Sequence, residues 1–505
     1  MIQKMKTAYS ADRWFETYHL KHDLIGRSVR GGAITLVAQL CKLALTMLVI
    51  SVLGRLLTPA DFGLVAMVTA ITGFAAMFKD AGLAMATIQR KHITREQVST
   101  LFWLNVTLGL ILTLLIIAAA PGISYLYGEP RLTMVAIAVA GTFLLSGLSI
   151  QHQALLKRQM EFKTLALLEV ISIAVGTVAA IISAALGAGY WALVVQSLTM
   201  NLMIMISSWA VVRWIPGRPV RGSGVRAMLK LGYNVSFTRF INYWAGNSDN
   251  IMIGMYWNAA ALGLYSSAYK LLTLPLIQIM GPMANVMVPV LSRRQDDILQ
   301  YRQTYIASTR ALCYLTGLIT ALCFGLAYQI VYLVLGDQWG DAVPIFRCLA
   351  LGMIAGPLSN SCGWLFISSD KSGYHVRWEL FATPIRVAAF AAGLPWGPIG
   401  VAWGYSISTL LLRPPLFYYA SKNTPCNLKD FASVLHHTLP LTLIIGAASY
   451  LTQAMLATNP FLVIVSGTAV AGISAGLYIV LMPGAFEDIK QTMSAIKHLR
   501  SNQKR

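Results

Sequence analysis

Several stretches of this sequence carry ionisable or hydrogen-bonding side chains at helical spacing inside otherwise apolar runs. Thr35, Gln39, Lys42 and Thr46 lie 4, 3 and 4 residues apart, which puts them on one face of a helix. Thr69, Gly73, Ala76 and Asp80 repeat that spacing, with Lys79 beside them. Arg239, Asn242, Gly246 and Asp249 follow at 3, 4 and 3, and Glu379, Thr383 and Arg386 at 4 and 3. Lys270 stands near the middle of a further run, ahead of Pro275, Gly281 and Pro282. Cations set in apolar surroundings recognise anions such as phosphate or diphosphate. Carboxylates in the same setting exchange a proton or hold a cation. Asp80, Asp249 and Glu379 are therefore candidates for ion coupling, and Lys42, Lys79, Arg239, Asn242, Lys270 and Arg386 for binding cargo.

The elements that must position these residues are apolar helices. The chain is 505 residues long, 56% hydrophobic and only 11% charged, against roughly 25% charged for a soluble domain. Runs of about 20 apolar residues recur from end to end, each long enough to cross hydrocarbon. The expected fold is an all-α polytopic membrane protein of about 14 transmembrane helices. Its segments are a cytoplasmic amphipathic N-terminus over 1–29, a six-span lobe over 30–212 and a cytoplasmic Pro/Gly-rich linker over 213–230. A second six-span lobe over 231–420, two further spans over 435–482 and a basic cytoplasmic tail over 483–505 complete the chain. No cleavable signal peptide is visible, so the first span is expected to act as an uncleaved insertion signal.

The net charge of +20 does not point to nucleic acid, because its placement follows topology. Of the 39 Lys and Arg, 28 fall in segments on one side of the spans, and only Arg55 and Arg131 on the other. That asymmetry places both termini in the cytoplasm, with some attraction to anionic membrane lipids. A short repeat supports two parallel halves: Phe62-Gly63-Leu64 recurs as Leu262-Gly263-Leu264, and Gly32 corresponds to Gly232. The six cysteines show neither a disulfide framework nor metal-ligand spacing, so no metal and no cofactor is expected, and they read as small apolar packing residues.

Five deep cations, Lys42, Lys79, Arg239, Lys270 and Arg386, would together cost on the order of 10–15 kcal/mol if uncompensated. They are therefore expected to line one hydrated cavity built for something negative. Arg310, Arg347 and Arg413 read as edge residues, Arg377 as a snorkelling one, and Glu169 either as a partner across helices or as a proton carrier. His436 and His437 read as surface residues. The last two spans, nearly uncharged, read as a lipid-facing appendage with a groove for an acyl or prenyl tail.

The motifs Phe62-Gly63-Leu64, Asp80-x-Gly82-Leu83, Ile88-Gln89-Arg90-Lys91 and Leu101-x-Trp103-Leu104-Asn105 resemble those of Wzx-type flippases for O-antigen and exopolysaccharide precursors, in the colanic-acid-exporter branch. Leu156-Lys157-Arg158-Gln159-Met160-Glu161-Phe162, Gly263-Leu264-Tyr265 with Ala268-Tyr269, and Gly336-x-x-Trp339 with Val343-Pro344 extend the resemblance over most of the first twelve spans. It implies the multidrug/oligosaccharidyl-lipid/polysaccharide exporter fold, two six-helix lobes in a V plus two C-terminal helices. It also implies export of an undecaprenyl-diphosphate-linked oligosaccharide across the bacterial inner membrane, and Asp80 is carried over because it lies in a matched motif. Alternating access coupled to a proton or sodium ion, alongside the polysaccharide polymerase machinery, is the expected mechanism. The rival readings are a lipid II flippase, a cation-coupled drug exporter of the same superfamily, a membrane polymerase or glycosyltransferase, and a non-transporting scaffold. Five cavity cations disfavour a cationic drug. An enzyme needs a large outer loop or a soluble domain with paired carboxylates, and the sequence has neither.

Overall fold

The computed structural model describes residues 14–15, 24–79, 82–90, 92–220, 243–244, 246–455 and 459–481. Most of the N-terminal segment, residues 221–230 of the expected linker, 231–242 of the seventh span and the basic tail over 483–505 lie outside the described residues. Every regular element among those described is a helix, and the chain forms two compact units, Met1–Ala260 and Ala261–Arg505.

In the first unit, α1 (Leu24–Leu56), α2 (Pro59–Ala76), α3 (Leu83–Gln89), α4 (Arg95–Tyr127), α5 (Arg131–Arg158), α6 (Phe162–Ala185) and α7 (Trp191–Val212) follow in order. Local chemistry sets their starts. Thr58 caps α2 in a reciprocal box with Asp61, with Pro59 in the first turn, and Thr94 does the same for α4 with Gln97. α4 and α5 form a tight antiparallel hairpin because glycines let their backbones touch. A Cβ on Gly109 would come within 2.7 Å of Phe143 O, and one on Gly147 within 2.6 Å of Asn105 O. Gly63 works in the same way, since a Cβ there would overlap the carbonyl of Ala259.

One end of this unit is locked around Phe102, His152, Trp209 and Trp214. His152 stacks on Trp209 at 4.4 Å, and its Nε2 lies 3.1 Å from Trp214 O. Residues 213–220, the first part of the expected linker, are docked rather than loose. Trp103 Nε1 donates to Gly217 O (2.9 Å), Gly217 N to Ser99 Oγ (3.0 Å) and Val220 N to Thr100 Oγ1 (3.2 Å). Arg158 ends α5 by donating to Thr87 O (2.9 Å) and Arg90 O (2.5 Å). That satisfies carbonyls at the C-terminus of α3 with a charged donor where the helix dipole favours one.

The second unit holds most of α8 (Ala259–Ser292), then α9 (Ile298–Gly325), α10 (Ala327–Leu335), α11 (Ala342–Met353), α12 (Gly356–Ser368) and α13 (Ser372–Gly393). It continues through α14 (Gly397–Leu411), α15 (Arg413–Asn423), α16 (Leu428–Met455) and α17 (Pro460–Leu481). α8 carries Pro275, Pro282 and Pro289. At seven-residue intervals they fall on one face, and each removes a backbone hydrogen bond and bends the helix there. The final two helices are anchored to the rest of the unit. Arg302 forms a two-pronged pair with Asp430 (2.9 and 2.8 Å), and Tyr478 donates from α17 to His437 O (2.9 Å).

Eleven helical stretches among the described residues are long and apolar enough to cross a membrane, or twelve when the pair α11–α12, bent by 41°, counts as one span. The expected number of 14 is not reached on that count, for two reasons. Of the seventh span, helix is described only around 243–244 and over 246–256. One stretch, Ser372–Asn423, runs to 52 residues, far more than the ~20 that cross hydrocarbon. It turns back on itself at the short 3-10 turn Leu394–Trp396, where Gly393, Gly400 and Gly404 bring the backbones of α13 and α14 into contact. The second expected span is also interrupted: α2 stops at Ala76, and α3 starts after Gly82, whose φ of 74° favours glycine.

Replacing Gly147 by Val is expected to force α4 and α5 apart. The measurement is size-exclusion of detergent-solubilised protein, with most of the monodisperse peak lost. Arg158→Ala, which only orphans carbonyls, is expected to keep the peak and lower the thermal midpoint by several degrees.

Candidate functional site

The polar side chains read from the sequence gather in two places, one in each unit. In the first unit, Lys42 on α1 donates to Glu169 Oε2 on α6, 127 residues away. The two side chains are 27% and 34% exposed, so the pair is neither sealed in the core nor free in water. Together with Ser172, Met200 and Asn201 it lines a recess of about 230 Å³. Thr46, on the same face of α1, turns back to bond Lys42 O (2.7 Å). An isolated lysine at this depth would cost roughly 2.5–3.5 kcal/mol, and Glu169 removes most of that while tying α1 to α6.

The second gathering is built on one face of α13. His375, Glu379 and Arg386 point into a pocket of about 110 Å³, closed by Ser359 and Cys362 from α12 and by Tyr405, Thr409 and Arg413 from α14 and α15. Arg386 donates to Glu379 Oε2 across two helical turns, and more weakly to Thr383 Oγ1 (3.5 Å). His375 Nε2 lies 4.0 Å from the other oxygen of Glu379. The Nε atoms of Arg386 and Arg413 are buried with no hydrogen-bond partner among the described residues.

The remaining expected site residues fall differently. Lys79 is not on a helical face, as the spacing had suggested. It sits between α2, which ends at Ala76, and α3, and it has a partner. Asp80, Arg239 and Asn242 lie outside the described residues. Asp249 is buried (4% exposed) and accepts from Asn250 N (2.8 Å). Lys270 is exposed and has no ion-pair partner among the described residues. Within the first unit the structure thus joins Lys42 to Glu169, and within the second Arg386 to Glu379.

Sequence reading set Arg413 aside as an edge residue and made no assignment for His375; both line this pocket. Arg413 had been set at a span edge, but it opens a separate helix, α15, that runs ten residues on to Asn423, about 15 Å along the axis. The available signal was Arg413-Pro414-Pro415, a cation at a helix break inside an apolar run. His375 lies four residues before Glu379, one helical turn away. Of the six cysteines, five are buried as expected of packing residues, and Cys41 is exposed.

Residues 52–344 match the polysaccharide biosynthesis protein family, which is more than half of the chain. The chain belongs to that family. Among its relatives are the teichuronic acid biosynthesis protein TuaB of Bacillus subtilis (strain 168), 26% identical over 75% of this chain and 80% of that protein, and the succinoglycan biosynthesis transport protein ExoT of Rhizobium meliloti (strain 1021), 27% identical over 60% and 61%. The lipopolysaccharide biosynthesis protein WzxC of Escherichia coli (strain K12) is 22% identical over 76% of this chain and 79% of that protein. The fold is shared with a lipid II flippase, MurJ, in its inward closed conformation, at a TM-score of 0.68 and 14% identity over 89% of this chain and 99% of that one. It is shared also with an inward-facing multidrug resistance MATE transporter of the MOP superfamily, at a TM-score of 0.60 and 16% identity over 78% and 96%. The protein is therefore a multi-pass membrane protein of the polysaccharide biosynthesis family, on the fold that the motif resemblance implied. The matched stretch holds Lys42's neighbour Glu169 but ends before Glu379, Arg386 and Arg413.

Removing one member of the pair, by Lys42→Ala or Glu169→Ala, is expected to lower the thermal midpoint of the purified protein more than removing both. The double-mutant cycle should show a coupling of about 1–3 kcal/mol. A double variant no more stable than the worse single one would mean that the pair does not act as a unit.

Proposed function

We propose that this chain is a flippase that moves an undecaprenyl-diphosphate-linked oligosaccharide, an exopolysaccharide or O-antigen repeat unit, across the bacterial inner membrane by alternating access. The observation that carries this reading is family membership over 52–344 on a fold shared with a lipid II flippase. The relatives named for teichuronic acid, succinoglycan transport and lipopolysaccharide point to the same class of cargo. Transport rather than catalysis is the role. The excess of Lys and Arg on one side of the spans supports cytoplasmic termini. That topology goes with an N-terminal lobe over 30–212 and a C-terminal lobe over 231–420, joined by the linker 213–230 and followed by spans over 435–482.

The cargo's diphosphate needs cations. Lys270 has its charge free of any described carboxylate, whereas Lys42 and Arg386 hold theirs on Glu169 and Glu379. Lys79, Arg239 and Asn242 complete the proposed binding set. Outward movement of an anionic head group from a negative interior gains roughly 2.3 kcal/mol per charge per 100 mV, if the inside is the negative side. The potential thus favours release. Ion coupling would instead reset the empty carrier. Glu379 suits that step, because its carboxylate is already held by Arg386 beside His375 in a polar pocket. A proton or sodium ion arriving there competes with the arginine. Asp80 and Asp249 are the other carboxylates proposed for coupling, and the polysaccharide polymerase machinery is the proposed recipient of the cargo.

The neighbouring reading is a lipid II flippase, favoured only by the shared fold. Deleting the gene and analysing lipid-linked intermediates separates the two. Undecaprenyl-linked repeat units are expected to accumulate on the cytoplasmic face while surface polymer disappears and growth continues. Complementation with Lys270→Ala is expected to restore at most about a tenth of the polymer. Arrested growth with lipid II accumulation would replace this reading by its neighbour, and undiminished polymer with unchanged growth would remove both.

A further inference from the structure

The pocket on α13 has a second compartment behind it. Between α9, the α11–α12 bend, α15 and α16 runs an apolar cavity of about 440 Å³, walled by side chains such as Leu358, Phe417, Phe431 and Leu439. One residue lines both compartments: Arg413. It is partly buried, makes no hydrogen bond to any described residue, and leaves its Nε buried without a partner among them. Glu379 also acts on Arg413 through space, but its ion pair is made with Arg386. The small compartment therefore holds two guanidinium groups against one carboxylate, a net charge of one positive, with His375 beside them.

We propose that these two compartments form a binding site for an anionic membrane phospholipid, its phosphate on Arg413 and its acyl chain in the apolar cavity. The chemistry of each part selects that occupant. A guanidinium with unused donors matches phosphate oxygens. A cavity of 440 Å³ walled by Leu and Phe is of the size that takes a small apolar ligand. The polar compartment, at about 110 Å³, has room for a phosphate or a few waters but not for a sugar repeat unit, so the occupant is not the proposed cargo. Arg413 marks the junction of head and tail, and Pro414 and Pro415 hold it at the helix break between α14 and α15. The site lies within one unit and stands whether or not the cargo assignment does.

The test uses the full chain, purified in a neutral detergent and examined by native mass spectrometry. It is titrated with phosphatidylglycerol, phosphatidylcholine of the same acyl chains, undecaprenyl phosphate and inorganic phosphate. Phosphatidylglycerol is expected to be retained about tenfold better than phosphatidylcholine. R413Q should bring it down to the phosphatidylcholine level. Because R413Q removes a charge from a helix break and can unfold the protein, A432F provides a second test. It fills the apolar cavity, leaves Arg413 in place, and should also cut phosphatidylglycerol retention about tenfold, with a folded monodisperse peak. Equal retention of the two phospholipids overturns the proposal, as does an unchanged preference in folded R413Q. Inorganic phosphate binding that depends on Arg413 without any lipid preference reduces the site to a free-anion site and overturns the lipid assignment. Undecaprenyl phosphate retained above phosphatidylglycerol, and lost in both variants, overturns the choice of phospholipid.

Discussion

A charge carried into hydrocarbon must bring its counter-charge or its water with it, and this constraint organises the polar interior of the protein. The two ion pairs meet it in different ways. Lys42 and Glu169 belong to different helices, so their pair cannot part unless α1 and α6 rearrange or one side chain is neutralised. Glu379 and Arg386 sit two turns apart on a single helix, and α13 keeps its packing whether they touch or not. The first pair is a strut. The second is a contact that a change of protonation or an arriving ion can open at small structural cost, and it faces a pocket with polar walls.

The residues through which the family is recognised do another job. Gly63 and Gly82 allow a close approach and a left-handed turn, Arg158 ends one helix by satisfying carbonyls of another, and Trp339 is completely buried behind the turn at Gly336. Asn105, at the end of another matched motif, is fully buried as well. None of these contacts requires a ligand. They are the packing hardware of apolar helices, where small residues and satisfied backbone groups decide which helices can lie together. A fold can therefore be shared at 14% identity while the polar side chains that meet cargo differ.

The helical architecture was legible in the sequence because twenty-residue apolar runs have few alternatives, and the family was legible because its motifs sit at helix ends and close contacts. The pairing of Glu169 with Lys42 was legible only as one of two options, since nothing local links residues 127 positions apart. Lys79 was placed on a span read as unbroken, because periodicity assumes a continuous helix, and α2 ends at Ala76. Arg413 was read as lying near the end of one continuous span, whereas a new helix, α15, starts at that residue. In each case the error came from the position of a helix terminus, which hydropathy locates least well.

Paired cations change what binding means in such a carrier. A small anion that reached Arg386 would not fill a vacancy; it would take the place of Glu379. The exchange keeps the number of ion pairs constant, so the gain on binding is the difference between two similar contacts rather than the full value of one. The displaced carboxylate then lacks its counter-charge in a poorly hydrated place, and the cheapest remedy is a proton or a small cation. Anion binding at Arg386 and ion uptake at Glu379 would then be linked, with the linkage equal in both directions.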